Sequence, residues 1–178
     1  MNIWHNISSD RVKKQEFVAV IEIPKGSKKK QELDKETGML KVDRILTTSM
    51  QYPANYGFIP KTLSDDGDPV DVWVFCSESL TELSIIKCFA IGVIDMLDSG
   101  EGDEKVIAIP FNDPMYSHYT SMDKFPPHVF EELIHFLKVY KQLENKHIEI
   151  KGLYGKKEAE QIIEEGIERY KKTFKQMQ

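Results

Sequence analysis

The sequence predicts an α+β fold with a mainly β core, and three observations carry that expectation. The first two-thirds of the chain holds short apolar, β-branched runs broken by Gly and Pro, such as Phe17 to Ile23, "FVAVIEI", which Pro24 stops. The last third changes period: after Pro126-Pro127, the residues Val129, Phe130, Leu133, Ile134, Leu137 and Tyr140 recur on one broad helical face. With 178 residues, no internal repeat and no linker-like stretch, the chain fits one domain with a real core and not two, so residues 1–178 are expected to fold as a single domain. Many short punctuated strands followed by helices favour a small OB-like closed β-barrel with two C-terminal helices packed outside.

Each element follows from local chemistry. After "FVAVIEI", residues 29–33 and 39–46 flank "DKETG", a turn ending in Gly38, and read as a hairpin. "VDVWVF" at 70–75 and "SIIKCFAIGVIDM" at 84–96 are further strands. "KVIAIP" at 105–110 is another, reached through the glycine-rich acidic loop "LDSGEGD". Pro126-Pro127 opens the first helix. The second runs from about Lys156 to Phe174, with Ala159, Ile162, Ile163, Gly166, Ile167 and Tyr170 at helical spacing.

Composition excludes several classes. Hydrophobic residues at 40% and charged residues at 30% describe a soluble globular chain and not a disordered one. A net charge of −5 makes a poor binder of nucleic acid or of an anionic membrane by bulk field. No apolar run is long enough to span a bilayer, and the N-terminus lacks a signal-peptide core. Cys76 and Cys88 sit in apolar segments and read as buried free thiols. A cytoplasmic protein is expected, so the sequon Asn6-Ile7-Ser8 carries no meaning.

The informative residues are charges that break the apolar pattern. Asp65 to Phe75, "DDGDPVDVWVF", crowds four carboxylates into seven residues and ties them to an apolar run. Like charges this close resist joint ionisation, so the stretch is either a solvated turn or a cation site. Asp66 and Asp68 project the same way, and Asp71 starts the strand in phase with Trp73 and Phe75. Glu22 closes an apolar face shared with Val18 and Val20; it either reaches water at the strand end or needs a cation. Arg44 shares its parity with Leu40, Val42 and Leu46, which points either to an Arg–Glu pair inside the barrel or to a guanidinium aimed at an anionic ligand. Asp98 and Asp103 flank the glycine-rich loop, which alone reads as solvated.

Hard oxygen ligands suit Mg²⁺ or Mn²⁺ rather than Zn²⁺, and the five His show no HxxxH spacing. An EF-hand fails at Val70, where an oxygen ligand is wanted. "DGDPV" fits the D-x-D-x-[TV] shape of aspartyl-nucleophile phosphatases, but those place the motif after a buried strand and here the apolar run follows. A barrel that brought Glu22, the Asp66–Asp71 group and the Asp98–Asp103 group to one opening would need cations, and those cations would demand an anionic substrate. Arg44, Lys105, a lysine of "KKK", Tyr52, Tyr56, Tyr140 and Lys141 supply donors for it. That combination describes a metal-rich phosphate site.

The same residues resemble the soluble family I inorganic pyrophosphatases of bacterial type. The core signature is "DGDPVDV", joined in order by "VIEIPKGS", "ELDKETG", "VDR", "YPANYGFIP", "GVIDMLDSGEGDEKVIAIP" and "VYKQLE", over about Phe17 to Phe174. The resemblance implies Mg²⁺-dependent hydrolysis of pyrophosphate, with several Mg²⁺ per site and Mn²⁺ or another divalent ion as a substitute. It makes Asp66, Asp71 and Asp103 ligands of the activating metals. Asp98 joins Asp103 on the metal that arrives with substrate, and Glu22 helps hold a further one through water. Asp68 is implied as the general base, with Tyr52 close by. Lys30, Arg44, Tyr56, Lys105, Tyr140 and Lys141 are implied as phosphate-binding, with Lys29 the alternative to Lys30 in the triple-lysine run. Gln31 and Leu153 depart from the family, which often has aromatics there. Family members are usually homohexamers with a His-bearing helix at an interface; His135 fits one such position, and Val139 replaces a second His. Two other readings stand beside this one: a metal-dependent hydrolase of organic phosphates or nucleotides, and a non-enzymatic OB-like module for an anionic partner, which would need a basic groove with exposed aromatics.

Overall fold

The computed structural model describes residues 2–175. In chain order its elements are α1 (Ile3–Asn6), β1 (Phe17–Ile23), β2 (Lys29–Leu33), β3 (Leu40–Ile45), β4 (Asn55–Phe58), β5 (Asp71–Val74), β6 (Ile85–Asp98), β7 (Glu101–Pro110), α2 (Pro127–Val139), β8 (Ile148–Gly155) and α3 (Lys156–Thr173). Strand β1 pairs with β4, β4 with β5, β5 with β7, β7 with β6, and β6 returns to β1. The five strands therefore close on themselves as the barrel expected from the sequence. All the ring pairings are antiparallel except β5 with β7.

Closure explains why all seven residues of β1 are buried. Phe17, Ala19 and Ile21 join Val72, Val74 and Val106 in one core, which Ala159 and Ile163 of α3 cover. A second core holds Trp73, Ile94, Met96 and Ile107 under Leu133, Phe136 and Leu137 of α2. Both long helices thus pack outside the barrel. Where β4 crosses β1, Gly57 is required: a Cβ there would stand 1.8 Å from the Val20 carbonyl oxygen.

Three features differ from the sequence expectation. Strand β4 was not expected, because "NYGF" is too short and too mixed to show a period. Strand β8 separates the two long helices, extending the sheet along the free edge of β6. The acidic "LDSGEGD" is not a loop. Ser99 and Gly100, with φ of 54° and 90°, make a two-residue turn, and the ladder pairs Asp98 with Glu101 and Met96 with Asp103. That register sets Asp98, Asp103 and Lys105 on one face of the sheet.

Hairpin β2–β3 forms its own sheet and shares no ladder with the barrel. Cys76 and Cys88 are buried and free. Among the described residues, no helix is long and apolar enough to cross a membrane.

Candidate active site

A cavity of about 580 Å³ opens between the barrel, the hairpin and the C-terminal end of α2. Of the thirteen site residues named from the sequence, twelve line it: Glu22, Lys30, Tyr52, Tyr56, Asp66, Asp68, Asp71, Asp98, Asp103, Lys105, Tyr140 and Lys141. Arg44 is the exception.

The ladder builds the centre. Asp71 of β5 and Lys105 of β7 are neighbours across the parallel pair. The buried Lys105 ammonium donates to Asp71 Oδ2 at 2.8 Å, to Asp103 Oδ1 at 3.0 Å and to the Tyr56 hydroxyl at 3.0 Å. Burial pulls Lys105 down, but Asp71, Tyr56 and Asp103 together outweigh it and hold the ammonium well above its usual pKa. Burial, with Asp71, raises the Asp103 carboxyl from its ordinary value against the pull of Lys105. At the other end of the ladder, Lys141 hydrogen-bonds Asp98. Burial raises the Asp98 carboxyl, and the Lys141 contact more than reverses that.

Glu22 is 6% exposed, and its Oε1 accepts the Leu33 N–H at 2.7 Å. It does not reach water as a strand-end carboxylate would. Burial first, then Asp71, pushes its pKa up to about 8. Asp66 accepts the Asp68 N–H at 2.9 Å across Gly67, whose φ is 85°, and burial raises it too. Asp68 pairs with Lys35 rather than with Tyr52. Asp65, the remaining acid of the opening cluster, faces away and pairs with Arg169 at 2.8 Å.

Aromatic rings form the floor. Tyr56 packs edge-on to Trp73 at 4.8 Å, and Tyr140 stacks on Phe136 at 4.8 Å. Burial raises Tyr52 and Tyr140 above the ordinary phenol range, so both keep their protons and remain O–H donors.

The hairpin contributes the outer wall. Lys30 stands across from Arg44 in the β2–β3 register and pairs with Glu32 at 3.2 Å and Asp43 at 3.5 Å. Arg44 does pair with a glutamate, but not inside the barrel. Its Nε donates to Glu144 Oε1 at 2.9 Å, and its Nη1 to Asp43. The hairpin lies off the barrel, so the face that Arg44 shares with Val42 is not a barrel interior, and Val42 is 56% exposed.

Several wall residues were missed. Lys35, Glu32 and Lys41 line the cavity, although the turn and the family motif "ELDKETG" assign them no role in the site. Trp73 lines it as well, and its phase with Asp71 was the available signal.

Among the described residues, no three Asp, Glu, His or Cys side chains stand ready to hold one ion. Lysines stand between them instead: Lys105 between Asp71 and Asp103, Lys141 on Asp98, Lys35 on Asp68. The all-oxygen donor set fits hard divalent cations, and the lysines mark where positive charge belongs.

Comparison with known proteins agrees with this chemistry. A family model described as inorganic pyrophosphatase matches residues 19–171. The chain is 41% identical over 171 residues to soluble inorganic pyrophosphatase 2 of Chlamydomonas reinhardtii, covering 96% of this chain and 89% of that protein. Its fold is similar to the inorganic pyrophosphatase of Helicobacter pylori, with a TM-score of 0.85 at 42% identity over 89% of this chain and 95% of that one. An inorganic pyrophosphatase from Coxiella burnetii gives a TM-score of 0.87 at 37% identity, covering 92% of this chain and 99% of that one.

Proposed function

This chain belongs to the inorganic pyrophosphatase family and hydrolyses pyrophosphate to two orthophosphates, and from that premise we propose how its residues divide the work. Asp66, Asp71 and Asp103 would hold the activating Mg²⁺ ions, Asp98 with Asp103 would hold the ion that accompanies substrate, and Glu22 would help hold a further one. When bound, the ions screen the polyanion and bring a water's pKa toward neutrality; Mn²⁺ can serve in their place. Asp68 would take the proton of the attacking water, whose oxygen bonds to one phosphorus as the bridging P–O bond breaks and the second phosphate leaves with the bridging oxygen. Tyr52, on the cavity floor, is assigned as the hydrogen-bond donor to Asp68 in the working site, in place of the Lys35 contact. Lys30, Arg44, Tyr56, Lys105, Tyr140 and Lys141 donate to the phosphate oxygens, stabilising charge as the bond opens. No covalent enzyme intermediate forms.

The convergence of six carboxylates with Lys105 and Lys141 on one cavity carries this reading. The organic-phosphate and nucleotide reading is not favoured by any relative, and the acids occupy the place where a basic anion-binding groove would have to be. Rapid phosphate release from pyrophosphate that chelator abolishes is the expected result. Comparable rates on ATP or p-nitrophenyl phosphate would instead assign the broader hydrolase. A cytoplasmic homohexamer completes the proposal, with the exposed His135 of α2 at an interface; a monomer by sedimentation at working concentration would remove that part.

A further inference from the structure

Arg44 is the one proposed phosphate-binding residue that does not line the cavity. It lies on β3, in the hairpin that shares no ladder with the barrel. Two carboxylates hold its guanidinium aside: Glu144 takes Nε at 2.9 Å, and Asp43 takes Nη1. The third nitrogen, Nη2, is buried and has no partner among the described residues. Glu144 closes the short 3-10 turn Gln142–Glu144, directly after Tyr140 and Lys141 on the cavity wall. One ion pair therefore joins the hairpin to the segment that ends α2.

This is an incomplete resting place for an arginine. A guanidinium presents its donors in a fixed planar fork suited to bidentate acceptors. Here Nε is satisfied while Nη2, its neighbour on that fork, is not, and a buried unpaired N–H is costly. A phosphate could satisfy both donors, but only in place of the Glu144 carboxylate, because two anions cannot share that edge. The half-buried Glu144 pair, with side chains 24% and 13% exposed, is strong enough to matter and weak enough to be displaced.

We propose that Glu144 is a positioning residue that competes with substrate for Arg44. It parks the guanidinium off the cavity, and pyrophosphate engages Arg44 only by displacing it. Glu144 thereby weakens the hold on both pyrophosphate and product phosphate, and its return favours product release. The proposal rests on the reading of Arg44 as a phosphate ligand.

Glu144→Gln keeps the shape and the acceptor but removes the charge. The KM for pyrophosphate, and the dissociation constant of inorganic phosphate measured by calorimetry with Mg²⁺, are expected to fall roughly 3- to 10-fold. Glu144→Ala is expected to fall at least as far. A merely supporting Glu144 would act in the opposite sense: Ala would weaken phosphate binding and Gln would restore it, and that result overturns the proposal, as does no change. Arg44→Met separates the two layers. It is expected to weaken phosphate binding and to erase the effect of adding Glu144→Gln. If Arg44→Met alone leaves phosphate binding unchanged, the reading of Arg44 itself falls. If it weakens binding while Glu144→Gln alone does not tighten it, only the competition falls.

Discussion

The two walls of the cavity are built in opposite ways. On the barrel side, Tyr56, Asp71, Asp103 and Lys105 sit on paired strands, with a buried ammonium satisfying three oxygens at 2.8–3.0 Å. On the hairpin side, Lys30 and Lys41 sit on a separate two-stranded sheet, with Lys35 in the turn that joins its strands and Arg44 on β3 just off the cavity, and each pairs with whatever carboxylate is nearby. The barrel fixes charge where displacement would be expensive. The hairpin offers charge that can change partners at little cost, since exposed ion pairs contribute about 0–1 kcal/mol. A site that must grip a polyanion and then release two smaller anions has a use for both.

The sharpest test lies where the walls meet, at Asp68, which the hairpin's Lys35 contacts from across the cavity. Asp68→Asn is expected to lower kcat by about 10²–10⁴ while leaving Mg²⁺ binding nearly intact. Unchanged turnover would remove it as the base. Next comes the barrel wall. Lys105→Met strips the cation from Asp71 and Asp103 and should destabilise the metal-free protein by about 3–5 kcal/mol. Denaturant unfolding in chelator measures this, and a loss below about 1 kcal/mol would show that the barrel charges are no more fixed than the hairpin's.

Glu22 tests the barrel wall by pH. Its pKa is about 8 in the folded chain against an ordinary 4.5. Between those values the native state holds a proton that the unfolded state has released, so stability falls as pH rises through that window. Gln does not titrate and keeps the Oε1 acceptor. Glu22→Gln should therefore be neutral below the window and stabilising above it, by on the order of 3–5 kcal/mol in chelator. A pH-independent difference would sink this account. The smallest effect belongs to the hairpin: Lys41→Met loses only an exposed pair with Glu32 and should leave the urea midpoint of unfolding unchanged within error.

The same contrast separates what the sequence revealed from what it hid. Residues on ladders were legible, because a strand's period of two places Asp71 with Trp73 and the acids with their face. Glu22 was legible as a charge on an apolar strand. Strand β4 was not, since four residues including Asn55 and Gly57 show no period. Strand β8 lay between two strong helical patterns that overshadowed it. Arg44 was misplaced because parity assigns a face, not a sheet. Its partner Glu144 stands one hundred residues away, a distance no local pattern spans.

The parallel seam of β5 and β7 also bears on how the molecule comes into being. Asp71 and Lys105 are 34 residues apart, and they meet only after the whole β6–β7 hairpin has folded back beside β5. Such non-local pairings form late. An emerging chain therefore carries its acids well before the lysine that neutralises them, and no partial fold owns a working centre. In refolding, activity is expected to return together with the slowest far-ultraviolet phase and never ahead of it.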